Sequence, residues 1–229
     1  MRKPSLFLSI AILLLSGYLF YSCDDSFTDE GPNLLVTLDE DHSGSESARI
    51  KPSKFNLTPD EELGRNLFFD KISSPDNMSC ADCHAPEVGF TGPIPGINSH
   101  GAVYPGAVPQ RFGNRKPPTA AYATLSPVFY YDEDEELFIG GNFWDGRATG
   151  EELGNPAADQ ALGPFLHPVE QNNPSKEAVL EQVANSTYAD LWEEVWGEPV
   201  SVETEEDIEL NYGRIGLSIA EFEDSKEVN

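Results

Sequence analysis

The stretch Ser79-Cys-Ala-Asp-Cys-His84 determines how the rest of the chain is interpreted. Two cysteines separated by two residues and followed directly by histidine form the attachment signature of a c-type haem. In such a haem both sulfurs become thioethers to the macrocycle and the imidazole binds the iron. Positions i, i+3 and i+4 share one face of a helical turn, so Cys80, Cys83 and His84 can address one flat macrocycle. The motif therefore predicts one covalently bound haem c.

Two other kinds of site also use a CxxC pair. A structural zinc takes four nitrogen or sulfur ligands, and the one further cysteine of the chain, Cys23, lies in a leader-like segment. A thioredoxin-like redox pair lies between a strand and a helix of a βαβ unit, and it would leave His84 unexplained. Both alternatives stay open, and the complete motif favours haem attachment.

Composition limits the partners of the chain. The 229 residues suffice for one domain with a leader and a linker. The formal net charge is -26, from 14 Lys and Arg against 40 Asp and Glu, which argues against nucleic acid or an anionic membrane surface as a partner. It favours a cationic partner protein or simply a well-solvated surface. The 18 prolines and 19 glycines predict a loop-rich fold in which a large cofactor supplies part of the core.

Residues 1–23 have the pattern of an export signal. Arg2 and Lys3 precede an apolar run from Leu6 to Phe20, and Cys23 stands where cleavage would occur. We predict a signal peptide or a lipoprotein leader with a membrane tether through Cys23; the alternative is an uncleaved anchor, for which the run is short. Each outcome places the rest of the chain outside the cytoplasm, in the periplasm or cell envelope.

The remainder divides into a linker and a domain. Residues 24–53 are polar and acidic without sustained periodicity, which predicts a flexible tether in which His42 is solvated. Residues 54–229 are predicted to form a mainly α-helical haem domain with long irregular loops. The segment 86–118 is rich in glycine and proline, and a loop of this length is usually functional.

Helix signals stand at both ends of this domain. Thr58 as N-cap, Pro59 at the first helical position and Glu61 at the third form a capping box. In the last third, apolar residues recur at helical spacing. They predict three helices, one opening at Asn173-Pro174, one carrying Tyr188 to Trp196, and one starting at Thr204.

The second axial position of the haem needs a candidate ligand. Met78 is too close to the attachment motif to reach the far face, which leaves three histidines, His42, His100 and His167. His100 lies in a loop sixteen residues after His84, long enough to wrap around the haem edge. It is either a distal ligand or a loop histidine without iron contact.

Two later segments carry polar residues of interest. Asn142–Ala148 contains aromatics, an Asp-Gly turn and Arg147, and it is either a corner of the core or a partner of the haem propionates. Gln160 and Glu170 lie in a proline-broken apolar segment. Polar side chains in such surroundings either satisfy backbone groups or take part in chemistry. The run Tyr130–Glu136 is interpreted as a solvated turn.

Together these motifs resemble the N-terminal haem domain of the bacterial di-haem cytochrome c peroxidase and methylamine-utilisation (MauG-like) superfamily. The resemblance covers about Leu63 to Phe222, and the order and spacing of the motifs are jointly specific although several are individually weak. The matching segments are Leu63–Phe69, the CxxCH motif, Gly89–Thr91, His100, Pro118–Thr119, Phe143–Ala148, Gln160–Pro164, Pro168–Glu170 and Gly213–Ala220.

The resemblance implies a cytochrome c-like fold and a role for each site residue. In such proteins the N-terminal haem reacts with peroxide, and the histidine at the His100 position is a distal ligand that can leave on activation. The residues matching Gln160 and Glu170 line the distal pocket, and Trp144 matches a tryptophan between the two haems. The residue types agree, because Glu170 can move a proton between the peroxide oxygens as general acid-base while Gln160 orients the peroxide.

The chain also departs from the family pattern. Members carry a second domain with its own CxxCH, whereas this sequence has one such motif, so we expect the second haem domain to be absent. Calcium, held between the domains in relatives, would lose most of its ligands, with Asn114 as a remnant. The segment Thr149–Asp159 is extra relative to shorter relatives and leaves the pocket lid undefined.

We therefore predict a c-type haem peroxidase domain, an oxidoreductase that reduces hydrogen peroxide with electrons from a small cytochrome c or similar donor. This activity needs an open sixth position on the iron and an intact electron supply. A permanently ligated His100 would instead give a non-catalytic monohaem electron-transfer cytochrome. A third alternative is an inactive truncated fragment of a di-haem peroxidase.

Overall fold

The computed structural model describes residues 50–229. The predicted leader, Cys23, His42 and the tether up to residue 49 lie outside the described residues. Ser53, at the end of the predicted tether, donates a hydrogen bond to the carboxylate of Glu227. Among the residues described, no helix is both long enough and apolar enough to cross a membrane.

The described part is mainly α-helical with long connecting loops, as the sequence predicts. Short 3₁₀ turns and one two-stranded antiparallel hairpin interrupt the loops. The helices are α1 (Pro59–Phe69), α2 (Pro95–Asn98), α3 (Pro156–Leu166), α4 (Lys176–Ala184), α5 (Ala189–Trp196) and α6 (Glu205–Asp224). The strands are β1 (Tyr130–Asp132) and β2 (Leu137–Ile139), and the 3₁₀ turns are Cys80–Asp82, Pro86–Val88 and Ala123–Leu125.

Capping boxes start the two helices that form the centre of the fold. The Thr58 hydroxyl accepts from the Glu61 backbone N–H at 3.3 Å, and the Glu61 carboxylate accepts from the Thr58 N–H at 2.7 Å. Thr204 and Asp207 repeat the arrangement at α6, with both distances 3.1 Å. Each box satisfies backbone N–H groups that have no partner within the helix, so both predicted helix starts are confirmed.

The helices α1 and α6 pack directly against each other and hold the core. Their facing apolar side chains are almost fully buried, and they are Leu63, Leu67 and Phe68 on α1 and Ile215, Ile219 and Phe222 on α6. Gly64 lies at the crossing, where an added Cβ would overlap the carbonyl oxygen of Ser218. The absence of a side chain at Gly64 therefore sets how closely the two helices approach.

The helix α4 begins two residues later than the sequence predicts. Ser175 is its N-cap and Lys176 its first residue. Asn173, predicted to open the helix, is instead buried, and its side-chain amide donates to the carbonyl oxygens of Ile72 and Phe165, both at 3.0 Å. This tertiary contact holds the chain in an extended approach to the helix.

Two other expectations differ from the structure. The prolines of the segment Gln160–Glu170 predict a broken chain, yet α3 is continuous to Leu166 with Pro164 inside it. Because Pro164 has no N–H, the helix lacks one backbone hydrogen bond, to the carbonyl of Gln160. The run Tyr130–Glu136 is not only a turn, since its first three residues pair with Leu137–Ile139 as a hairpin. The acidic residues between the strands form the turn itself.

The segment Thr149–Asp159, undefined from the sequence, is organised by one carboxylate. Asp159 on α3 accepts backbone hydrogen bonds from Gly150 at 2.7 Å and Leu153 at 3.0 Å. Asn155 caps α3 through the N–H of Ala157 at 2.9 Å. The loop before α3 is thereby fixed to the helix that carries Gln160.

Replacing Gly64 with alanine tests the close approach of α1 and α6. We expect Gly64→Ala to lower the free energy of unfolding by about 3 kcal/mol or more, because the new methyl group would separate two helices that share the core. Denaturant unfolding measures the change. Gly96→Ala is the control, since its Cβ would meet no atom within 4 Å, and it should change the free energy by less than about 1 kcal/mol. Equal effects of the two changes would contradict the proposed constraint.

Candidate functional site

A cavity opens between α1, the turn Cys80–Asp82, α3 and α6. It encloses about 1000 Å³ of space between protein atoms, solvent at its mouth included. Seven of the residues predicted for the site lie in its lining. They are Cys80, Cys83, His84, Trp144, Arg147, Gln160 and Glu170.

The attachment motif forms one tight turn. The Asp82 carboxylate accepts hydrogen bonds from the backbone N–H of Ser79 at 2.7 Å and from its hydroxyl at 2.9 Å. The N–H of His84 donates to the carbonyl oxygen of Cys80 at 2.9 Å, which closes the turn. The turn brings Cys80, Cys83 and His84 to the same cavity, as the spacing of the motif requires.

The hydrogen bonding and burial of His84 suit a metal ligand. Its Nδ1 lies 3.2 Å from the carbonyl oxygen of Phe90, a group that can only accept, so Nδ1 carries the proton. Burial lowers the pKa of the His84 imidazole, which favours the neutral ring. A neutral imidazole that donates from Nδ1 leaves the Nε2 lone pair for a metal, and this is the usual arrangement of ligating histidines.

The surroundings of both thiols favour the neutral, protonated form. Burial is the main cause that raises the pKa of Cys80 to about 12, with the charge of Glu223 adding to it. Burial and the nearby Asp82 raise the pKa of Cys83 to about 12. Redox-active cysteines have lowered pKa values instead. Within residues 50–229, moreover, no three His, Cys, Asp or Glu side chains are grouped to hold a metal ion. The turn therefore fits a macrocycle better than it fits zinc or dithiol chemistry.

Gln160 and Glu170 reach the cavity from one stretch of chain. Gln160 lies on α3, and Glu170 lies in the loop that follows this helix. Burial raises the pKa of the Glu170 carboxyl, while the charges of His167 and Arg147 oppose the rise. The His167 Nδ1 stands 4.0 Å from the Glu170 carboxylate. Glu170 also contributes to the raised pKa of Cys83, which shows that its carboxyl lies near the attachment motif.

Positive charge gathers at the mouth of the cavity. Asp145 binds the guanidinium groups of Arg115 at 2.6 Å and Arg147 at 2.9 Å. The hydrogen bond from Arg115 is the main cause that holds the pKa of Asp145 at about 2. Arg147 also stacks on the ring of Phe143, 3.6 Å from its centroid. Arg115 and Arg147 thus present oriented guanidinium groups of the kind that bind haem propionates.

Two predicted site residues are positioned differently from the rest. The side chain of Trp144 lines the cavity, is 64% exposed, and donates from Nε1 to the carbonyl oxygen of Lys116 at 2.8 Å. His100 is exposed and is not among the lining residues. Its Nδ1 lies 2.8 Å from the Gly96 carbonyl oxygen and 2.9 Å from the Ser99 hydroxyl. The family resemblance predicts His100 as a distal ligand, whereas its position here favours the other alternative, a loop histidine without iron contact.

Several lining residues were not expected from the sequence. Met78, set aside as a ligand, lies in the cavity wall, as does Asn114. Tyr104 is buried there, and its hydroxyl donates to Asn98 at 3.1 Å and accepts from the N–H of Ile94 at 2.8 Å. No periodic pattern marks Tyr104, because it belongs to a loop whose path only the folded structure defines.

Gln171 and Glu223 are further unexpected lining residues, and each is 3% exposed. The Gln171 side chain donates to the Cys80 sulfur at 3.7 Å. The position of Glu223 can be recognised from the sequence pattern of α6. Glu223 follows Ile219 by four positions, so it is a carboxylate within the apolar stripe of α6.

Comparison with known families agrees with this geometry. The family model described as di-haem cytochrome c peroxidase matches residues 58–228. The methylamine utilization protein MauG of Paracoccus denitrificans (strain Pd 1222) is 37% identical over 140 residues, 60% of this chain and 34% of that protein. The cytochrome-c peroxidase IdrP2 of Denitromonas iodatirespirans is 29% identical over 133 residues, 58% of this chain and 29% of that protein.

Solved structures show the same similarity in the fold. The diheme peroxidase BthA from Burkholderia thailandensis E264 superposes with a TM-score of 0.63 at 26% identity, over 78% of this chain and 40% of that one. A variant of that peroxidase gives a TM-score of 0.61 at 30% identity, over 76% of this chain and 41% of that one. Of the two relatives compared by sequence, MauG and IdrP2, the chain spans about a third of the length.

The position of His100 predicts the outcome of removing it. We expect His100→Ala to leave the absorption spectrum of the oxidised haem-loaded chain unchanged, because the imidazole lies outside the cavity. Optical and electron paramagnetic resonance spectra make the comparison, with His167→Ala as the control histidine. A change from six-coordinate low-spin to high-spin iron in His100→Ala would show that His100 is an axial ligand.

Proposed function

The chain belongs to the di-haem cytochrome c peroxidase family, and on that premise we propose that residues 54–229 form a haem peroxidase domain. The domain reduces hydrogen peroxide with electrons from a small cytochrome c or a similar donor protein. One haem c is attached through Cys80 and Cys83 and bound by His84. The observation that carries the proposal is the convergence of this motif with Gln160 and Glu170 in one cavity.

The names of the relatives support peroxide as the substrate. One is a cytochrome-c peroxidase and another is a diheme peroxidase. Because this chain covers only part of their length, its electron supply is also part of the proposal. Reduction of one hydrogen peroxide to two waters takes two electrons and two protons, and a small donor protein delivers the electrons one at a time.

The residues of the cavity have separate roles in the proposed reaction. When bound, the haem supplies the iron centre at which peroxide is reduced. Glu170 takes a proton from one peroxide oxygen and delivers it to the other, a general acid-base role suited to a carboxyl whose pKa is raised by burial. The Gln160 amide binds the peroxide and orients it towards Glu170. Arg115 and Arg147 hold the propionates at the mouth.

The leader pattern of residues 1–23 supports export to the periplasm or cell envelope. Covalent attachment of haem takes place outside the cytoplasm, which agrees with that destination. Lipid attachment at Cys23 is a further prediction from the same pattern. Its test is the mass of the mature N-terminus.

Haem attachment through the motif is tested by Cys80→Ser. We expect the wild-type chain to retain haem after denaturation, because thioether bonds survive unfolding, and we expect Cys80→Ser to lose at least half of the haem stain. Haem staining of denaturing gels measures the retention, and Cys23→Ser is the control. Equal staining of wild type and Cys80→Ser would contradict attachment at this cysteine.

Peroxide chemistry is tested by Glu170→Gln. Loss of a general acid-base should lower peroxide turnover roughly 10²-fold to 10⁴-fold, while haem content stays unchanged. Turnover is measured by oxidation of a reduced small cytochrome c. Glu181→Gln, an exposed carboxylate on α4, is the matched control and should keep the wild-type rate. A Glu170→Gln rate equal to that of the control would remove Glu170 from the mechanism.

A further inference from the structure

Glu223 is a buried carboxyl that the proposed peroxide chemistry does not use. It lies on α6, is 3% exposed, and lines the haem cavity. Its Oε2 atom has no hydrogen-bond partner in the described part of the chain. An unpaired buried polar oxygen costs roughly 1–3 kcal/mol, so its retention in a cavity wall indicates a function there.

Gln171 shows that this part of the wall faces the attachment site. The Gln171 Nε2 donates to the Cys80 sulfur at 3.7 Å, and its buried Oε1 has no partner among the described residues. Glu223 is close enough to Cys80 for its charge to raise the pKa of that thiol. The side chains of Gln171 and Glu223, each with an unpaired acceptor atom, therefore lie near the sulfur that would join the protein to the macrocycle.

We propose that the Glu223 carboxylate is the proton-binding site coupled to electron uptake by the haem. The inference rests on the haem attachment in the proposed function, and it does not depend on peroxide turnover. A one-electron donor protein is oxidised, the haem is reduced by one electron, and a proton passes from hydronium in the solvent to Glu223 Oε2, so that one O–H bond breaks in hydronium and one forms on the carboxyl. No other bond is made or broken, and the added positive charge offsets the added negative charge.

The surroundings of Glu223 leave its charge uncompensated. Burial alone raises the pKa of Glu223 to about 8. On α1, Arg65 is paired with the carboxylate of Glu227 at 3.0 Å. Tyr188, which also lies near Cys80, donates its hydroxyl hydrogen bond to Asp70 at 2.8 Å.

The other charged groups on the elements around Glu223 are acidic or turned to other partners. They are Glu62 on α1, whose pKa is raised by burial, Asp82 bonded to Ser79, and Glu221 and Asp224 on α6. Because no cation within residues 50–229 neutralises Glu223, a change of charge on the nearby macrocycle acts strongly on its proton affinity.

The sign of the coupling follows from charge. Reduction makes the macrocycle more negative, so Glu223 holds its proton more tightly in the reduced protein than in the oxidised one. In the pH range between these two pKa values a proton accompanies the electron. The midpoint potential is therefore highest where Glu223 is protonated in both states and falls as pH rises through the range.

The test is a spectroelectrochemical titration of the haem-loaded chain from about pH 6 to about pH 10, with small redox mediators. In wild type the midpoint potential should fall with rising pH. In Glu223→Gln the side chain is neutral at every pH, so this fall should be absent and the potential should stay at the wild-type value of low pH. Glu181→Gln, which changes an exposed carboxylate on α4 away from the cavity, is the control and should keep the fall.

An identical pH dependence in wild type and Glu223→Gln would overturn the proposal. If that variant does not fold, infrared difference spectra of the wild type decide. Reduction near pH 8 should produce the signal of a newly protonated carboxylic acid, and the absence of this signal would overturn the proposal.

The outcomes also distinguish the proposed peroxidase function from the proposed role of Glu223. Haem with a pH-dependent potential but no peroxide turnover contradicts only the peroxidase function, whereas turnover with a pH-independent potential contradicts only the role of Glu223.

Discussion

The close approach of α1 and α6 at Gly64 is the constraint on which the cavity depends. Because no side chain separates the helices there, their apolar faces meet along their length. Phe68 of α1 and Ile219 of α6 line the cavity, and Glu223 lies one turn beyond Ile219. The crossing that stabilises the core therefore also sets which side chains of α6 reach the cofactor site.

The cavity wall is divided by charge. Cations and exposed aromatic residues stand at the mouth, where Asp145 orients Arg115 and Arg147. The inner wall holds neutral or acidic groups, among them the half-buried Glu170 and the fully buried Glu223, and burial raises the pKa of both carboxyls. Such a division suits a cofactor with one anionic edge and one apolar body. It also places the buried Glu223 carboxyl where its neutral, protonated form is favoured more than it is in water.

The sequence predicts the features that local patterns determine. It does not predict those that depend on tertiary contacts. The spacing of Cys80, Cys83 and His84 and the capping residue Thr58 act within one helical turn, so the sequence alone predicts them. The position of Asn173 depends in part on the carbonyl oxygen of Ile72, which is far away in sequence, and this is why sequence patterns do not predict the start of α4. Asp159 organises a loop through backbone N–H groups that no sequence pattern reveals. The family resemblance placed Gln160 and Glu170 in one pocket, and the fold brings them to the same cavity.

The most direct measurement is the crystal structure of the haem-loaded chain. We predict electron density that joins the sulfurs of Cys80 and Cys83 to one macrocycle, with His84 Nε2 bound to the iron. Gln160 and Glu170 should lie against the other face of the haem, with no side chain of the protein on the iron there. A second protein ligand on that face, or iron bound by a residue other than His84, would contradict this arrangement.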